Sequence, residues 1–204
     1  MVFPLMLALR VTPVKLFRWL KLVSSEDFPE PLRLVQSFAD SVDVETAQDD
    51  LDSPERFGRW LVAHGFDHPA PSEEERVLAL GIRDALREEL IAHHDDGSAA
   101  TARAKLDAYA RMVPLRAAFG DGPATLVPAG GGVAAMLGAV LGAIVVAEHD
   151  GTWERVKICR EETCQVAFYD RSKNQSKTWF SMGVCGNRNK TRTYRDRRRT
   201  TTSP

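Results

Sequence analysis

Three cysteines and a run of arginines are the residues of this 204-residue chain that packing alone explains least. Cys159 and Cys164 bracket Arg160, Glu161, Glu162 and Thr163, and Cys185 follows further along; no cysteine precedes residue 159. An odd, clustered set in a chain without a clear secretory signal argues against a disulfide framework. Metal ligation or reactive thiols in a reducing compartment fit better. A tail of roughly 50 residues cannot fold alone without a staple or a docking partner. Zinc is the usual staple for clustered thiols, and a complete structural site contributes on the order of 10–16 kcal/mol to folding. Such sites place one thiolate pair on a hairpin and a second at the start of a helix. Cys159 and Cys164 supply the first pair, whereas the second side offers Cys185 alone. A thiol enzyme or redox sensor built on the same cysteines is a different class of chemistry, marked by a low thiol pKa.

The charges divide in the same place. Residues 151–204 hold 13 Lys and Arg against 5 Asp and Glu, while residues 1–150 hold 14 against 23. Such a split points to a polyanion-binding segment beside a differently employed region. Arg171, Lys173 and Lys177 precede Cys185, and Arg188, Lys190, Arg192, Arg195, Arg197, Arg198 and Arg199 follow it. Arg188, Arg192, Arg195 and Arg199 have the spacing of one helical face. Arginine suits bidentate contact with phosphate and guanine. About six phosphate contacts would make log affinity fall with log salt at a slope near −5. Two other readings use the same charge: the basic helix docks on the chain's own acidic front, or the protein is an interaction adaptor for an acidic partner.

The elements that must position these groups are mainly helical. Leu34, Val35, Phe38, Ala39 and Val42 recur at helical spacing. Ser53-Pro54 offers an N-cap with proline at the first helical position, ahead of Phe57, Trp60 and Leu61, and Gly65 ends that helix. Ser72 with Glu75 forms a capping-box pattern before Leu78, Ile82, Ala85, Leu86 and Leu90, with Asp95, Asp96 and Gly97 as its stop. A helix over about Ala100–Met112 turns Leu106 and Tyr109 inward, followed by a Pro/Gly-rich stretch at Gly120–Pro128. Gly130–Ala147 is uncharged and long enough to suggest a membrane span. Its Gly and Ala content and the absence of an aromatic belt favour a buried helix, with Gly138 and Gly142 set for close packing. No strong strand alternation precedes residue 153. Arg155–Cys159 and Gln165–Tyr169 then read as a short hairpin clasped by two thiolates, Asp170-Arg171-Ser172 as a turn, and a charged helix begins near Asn187.

The residues also resemble a known family. The Cys159–Cys164 run, Phe168-Tyr169-Asp170-Arg171-Ser172, Trp179-Phe180-Ser181-Met182 and Cys185-Gly186-Asn187-Arg188 with Lys190 resemble the CGNR zinc finger family. Upstream, Leu34–Phe38, Leu51–Gly65 with Trp60, and Ala79–Arg87 are similar to the ABATE helical domain of stress-induced transcription regulators; residues 1–25 lie outside the likeness. The resemblance implies zinc on Cys159, Cys164 and Cys185, double-stranded DNA as partner, and a helical domain sensing an unknown small-molecule effector. It also implies a cysteine five positions before Cys185, where this chain has Phe180. Either three thiolates hold zinc with water or a carboxylate (Asp170 or Glu161) completing the site, or Phe180 joins Trp153, Ile158, Val166, Phe168 and Trp179 in a metal-free aromatic core.

The expected fold class is mainly α, a helical N-terminal domain followed by a small α+β zinc-finger-like module of hairpin knuckle plus helix. The expected division is an extension over 1–25, a helical regulatory domain over 26–150 and the basic module over 151–204. A cytoplasmic protein without a membrane span or catalytic role is expected. Residues 1–23 have basic, amphipathic character without a cleavage pattern. His64 and His68 are broken apart by Gly65 and read as loop histidines, and His93-His94 suit a helix C-terminus. No GxSxG, Walker A, dinucleotide or HExxH motif occurs.

Overall fold

The computed structural model describes residues 28–68, 70–95, 99–122 and 124–201. The extension 1–25 and the Asp96-Gly97 stop lie outside the described residues. Among the described residues, six α-helices run in the order α1 (Glu30–Ala39), α2 (Pro54–Ala63), α3 (Glu73–Ala92), α4 (Ala100–Ala110), α5 (Gly132–His149) and α6 (Asn187–Thr201). Their boundaries have local causes. The Ser53 side chain accepts the Arg56 N–H, and Pro54 opens α2. The Ser72–Glu75 capping box opens α3 with both reciprocal bonds made, at 3.2 and 2.8 Å. Gly65 leaves α2 at a φ of +84°, a conformation that favours glycine.

The core lies where α1, α2, α3 and α5 meet. Val35, Phe38, Phe57, Leu61, Ile82, Leu86, Leu90, Met136, Leu137 and Val140 are fully buried there. Burial of each of the larger ones contributes about 2 kcal/mol. The uncharged helix α5 has the length and apolarity of a membrane span, yet half of it is buried inside the protein. It is a core helix.

Three two-stranded antiparallel hairpins complete the fold. Two precede residue 153, where no strand was expected: β1 (Val42–Asp43) with β2 (Gln48–Asp49), and β3 (Leu115–Ala118) with β4 (Thr125–Pro128). Two-residue strands carry no readable alternation, and in β3 and β4 partly buried and exposed residues do not alternate. The β3–β4 ribbon explains the glycines of α5. A Cβ on Gly138 would stand 3.0 Å from Pro128 Cβ and 3.1 Å from Leu115 Cδ2. The small residues thus admit a hairpin, not a second helix.

The third hairpin pairs β5 (Val156–Ile158) with β6 (Ala167–Tyr169), as expected from the sequence. Val156, Ile158 and Ala167, with Trp153 just before them, belong to the main core. Val166 and Phe168 join the three cysteines in a second, smaller core with Trp179, Phe180 and Val184. The single aromatic cluster envisaged around Phe180 is therefore divided, with Trp153 and Ile158 on the other side of the hairpin.

Candidate metal centre and nucleic-acid interface

The hairpin turn holds the first two thiols through backbone geometry. Cys159 N–H donates to the Val166 carbonyl at 2.9 Å, and Cys164 N–H to that of Glu161 at 2.8 Å. Gln165, at a φ of +46°, turns the chain back into β6. Cys185 arrives from the far side on a wide π turn, Met182–Gly186, in which the Val184 N–H donates to the Ser181 hydroxyl. Its own N–H donates to the Ser181 carbonyl at 2.8 Å.

Each residue of Cys185-Gly186-Asn187-Arg188 has a separate task. Cys185 faces the other thiols. Gly186 is buried, and a Cβ there would meet Met182 Sδ at 2.5 Å and Trp179 Cδ1 at 3.4 Å. Asn187 donates its side-chain amide to the Gly183 carbonyl at 2.8 Å, tying α6 to the preceding turn. Arg188 reaches across to Glu45 at 3.0 Å, joining α6 to the front of the chain.

The three sulfurs lie within 4.8 Å of one another, on residues 2%, 1% and 0% exposed. The backbone amides of Phe180 and Glu161 favour the charged form of Cys159, that of Val166 favours it at Cys164, and that of Ser181 at Cys185. Hydrogen bonds from Cys159 and Cys164 hold the Cys185 thiol down to about 3. With that charge in place, Cys164 is raised by its bonds to Cys159 and Cys185 and by burial. At Cys159 the bond with Cys164 lowers the value, but the bond with Cys185 and burial prevail and push it up to about 11. Three clustered thiols thus favour a single negative charge unless a cation joins them. Buried soft donors at this separation, braced by amide N–H groups, fit a thiophilic divalent ion such as zinc.

No fourth protein ligand completes the group among the described residues. Phe180 packs its half-buried side chain against the cluster. The two carboxylates considered as substitutes are engaged elsewhere. Glu161 pairs with Arg192 at 2.9 Å, and Asp170 accepts from Lys157 Nζ, Ser172 N–H and Lys177 N–H. Burial would raise the Asp170 pKa, but these bonds hold it below the usual carboxylate value.

The basic residues separate into groups. Arg188 and Arg192, expected on a nucleic-acid face, pair with Glu45 and Glu161 at the root of α6. Lys190, Arg195, Arg197 and Arg198 are exposed along the helix, Arg198 beside the Tyr194 ring at 5.8 Å. The side chain of Arg199 lies outside the described residues. Lys177 stands 5.0 Å over the Phe168 ring, Arg171 is exposed, and Lys173 lines a different cleft altogether. That cleft, about 1050 Å³, lies at the junction of α3, α4 and the hairpin and is floored by Glu89, Arg103 and Trp153.

Sequence reasoning missed the residues that fasten the hairpin to the helices. Arg87 donates to the Ala39 and Gln165 carbonyls, at 2.7 and 3.2 Å. Asp40 accepts the Ala167 N–H at 2.8 Å. His93 and His94 donate to the Val156 and Ile158 carbonyls, at 2.7 and 2.6 Å. The paired histidines at a helix end, just ahead of a strand, were the one available signal. His64 instead stacks on Trp60 and donates to its carbonyl, while His68 meets Glu75, so the two share no site.

The family model ABATE, described as "Putative stress-induced transcription regulator", matches residues 31–153, and that of the CGNR zinc finger matches residues 155–198. They meet at the Trp153–Arg155 turn. No curated protein matches the chain.

Proposed function

This chain belongs to the ABATE family and carries a CGNR zinc finger behind that region, and on that premise we propose that it is a transcription regulator binding double-stranded DNA through α6. The observation that carries the reading is the set of exposed cations Lys190, Arg195, Arg197 and Arg198 on a helix rooted in the thiol cage. Cys159, Cys164 and Cys185 would hold zinc, which cross-links the hairpin to the base of α6 when bound. Asn187 and Arg188 then set the direction in which α6 leaves the body. Arg188 and Arg192 serve as internal ties, so the phosphate contacts fall to Lys190, Arg195, Arg197 and Arg198. The junction cleft, bordered by both the helical part and the hairpin, is the place we assign to a small-molecule effector. A reducing cytoplasm suits three unpaired thiols.

The lowered Cys185 thiol is the one feature that favours a thiol enzyme or redox sensor, but sulfurs this deeply buried weigh against it, since a nucleophile also needs access. The adaptor reading shares the same cations and is separated by preference for duplex over other polyanions.

A salt titration of duplex binding tests the proposal. Four phosphate contacts give a log–log slope of about −3.6, and each lost contact flattens it by about 0.9. The double variant Lys190→Ala, Arg195→Ala should flatten the slope by about 2 and weaken binding to every sequence. Salt-independent binding, or equal affinity for duplex and for a heparin-like polyanion, would sink the reading.

A further inference from the structure

The cage provides three thiols and then stops. Tetrahedral zinc needs a fourth donor, and no other His, Cys, Asp or Glu belongs to the group among the described residues. Glu161 and Asp170 are held by Arg192 and Lys157. The apolar side chains packed against the cluster are Trp179, Phe180 and Val184, together with Val166 and Phe168. A zinc-bound water against these side chains is costly to bury, and three thiolates on a divalent ion leave a net negative charge in a buried place, offset only in part by Arg188.

Trivalent arsenic has the opposite needs. It forms three covalent bonds to sulfur in a pyramid, its lone pair occupies the fourth direction, and the trithiolate is neutral. The lone pair requires no donor, so an aromatic side chain is an acceptable neighbour. We propose that Cys159, Cys164 and Cys185 form a binding site for trivalent arsenic supplied as arsenite. In the exchange, three As–O bonds of arsenous acid break and three As–S bonds form. The three hydroxide groups leave as water with the three thiol protons, and no electrons are transferred. Where zinc is present it departs as the divalent ion, and protons from solvent replace those the thiolates have lost.

The signalling consequence rests on the regulator reading; the binding does not. The cage joins the turn at Gln165, held by Arg87 of α3, to the base of α6. A pyramidal occupant draws the sulfurs together differently from zinc, and α6 stands on one of them.

The test uses the full-length reduced protein, with arsenite as the probe. Native mass spectrometry should show one arsenic per chain, thiol labelling should show three cysteines protected together, and any bound zinc should be released. Cys185→Ser should bind arsenite at least about tenfold more weakly, having lost one of three tethered bonds. Phe180→Cys, which supplies a fourth thiolate, should need about tenfold more arsenite for zinc release. Protection of two thiols or none, unchanged affinity in Cys185→Ser, or unchanged zinc release in Phe180→Cys would overturn the proposal. The thiol count on the unaltered chain decides the matter even if Cys185→Ser misfolds. A duplex titration on the same preparation without arsenite reports on the regulator reading separately.

Discussion

His94 closes the last turn of α3 with its Nε2–H on the Ile158 carbonyl and its ring tilted against Phe168, centroids 6.1 Å apart. Burial holds its pKa below 6.5, and the charges of Arg160 and Lys157 act in the same direction, outweighing the bond to Ile158 and the charge of Asp95. The native state therefore binds its proton less readily than the unfolded chain does. His94 stability is fully present above the unfolded value and is lost as pH falls through the lowered native one. Resistance of the wild type to denaturation should weaken as pH drops from about 7 to about 5, and His94→Gln should remove most of that slope. Parallel pH curves for the two proteins would refute this role. His93 supports the same strand from one residue earlier, its ring edge-on to Trp153 at 5.4 Å.

Among the elements, α3 bears the connections and α5 bears the packing. Arg83 grips the Asp49 carboxylate with both terminal nitrogens, at 2.6 and 2.8 Å, and so pins the β1–β2 turn. One turn later Arg87 grips the thiol hairpin. Burial lowers the Arg87 pKa, although Asp40 lies near enough to oppose it. The helix is thus a bar with a cation fastened at each of two neighbouring loops. For α5 the requirement is steric. Gly138→Val would drive a branched side chain into Pro128 and Leu115, already 3.0 and 3.1 Å from a Cβ. It should cost on the order of 2 kcal/mol by overpacking, measured by denaturant unfolding. A variant as stable as the wild type would show that the β3–β4 ribbon does not rest on this face.

At the scale of the molecule, the β5–β6 hairpin belongs to two cores at once. Trp153, Val156, Ile158 and Ala167 complete the helical core, while Val166 and Phe168 enclose the thiols. Removing the first set exposes what they cover and forfeits about 6 kcal/mol of apolar burial, comparable with the whole stability of many domains. A chain ending at residue 152 should therefore lack a cooperative thermal transition by circular dichroism. A sharp transition at the full-length Tm would contradict the shared core. The same sharing gives the small cysteine module the docking partner that a segment of its size needs. Arg87, Asp40, His93 and His94 fasten the helical part to that hairpin.

Much of this protein was legible without coordinates wherever the cause is local. The Ser72–Glu75 box, Ser53-Pro54, Gly65, the Cys159–Cys164 pair and the Asn187 tie to Gly183 depend on neighbours a few residues away. Their spacing already encodes the geometry. Long-range partners were not legible. Arg188 meets Glu45 across 143 residues, Ala167 meets Asp40 across 127, and Arg87 meets Gln165 across 78. Composition marked the basic residues from Arg171 to Arg199 as candidates for phosphate, and the fold engages two of them, Arg188 and Arg192, with Glu45 and Glu161. Which carboxylate a guanidinium finds depends on how α1, α3 and the hairpin pack. That packing is the sum of many apolar contacts, and no short stretch of chain contains it.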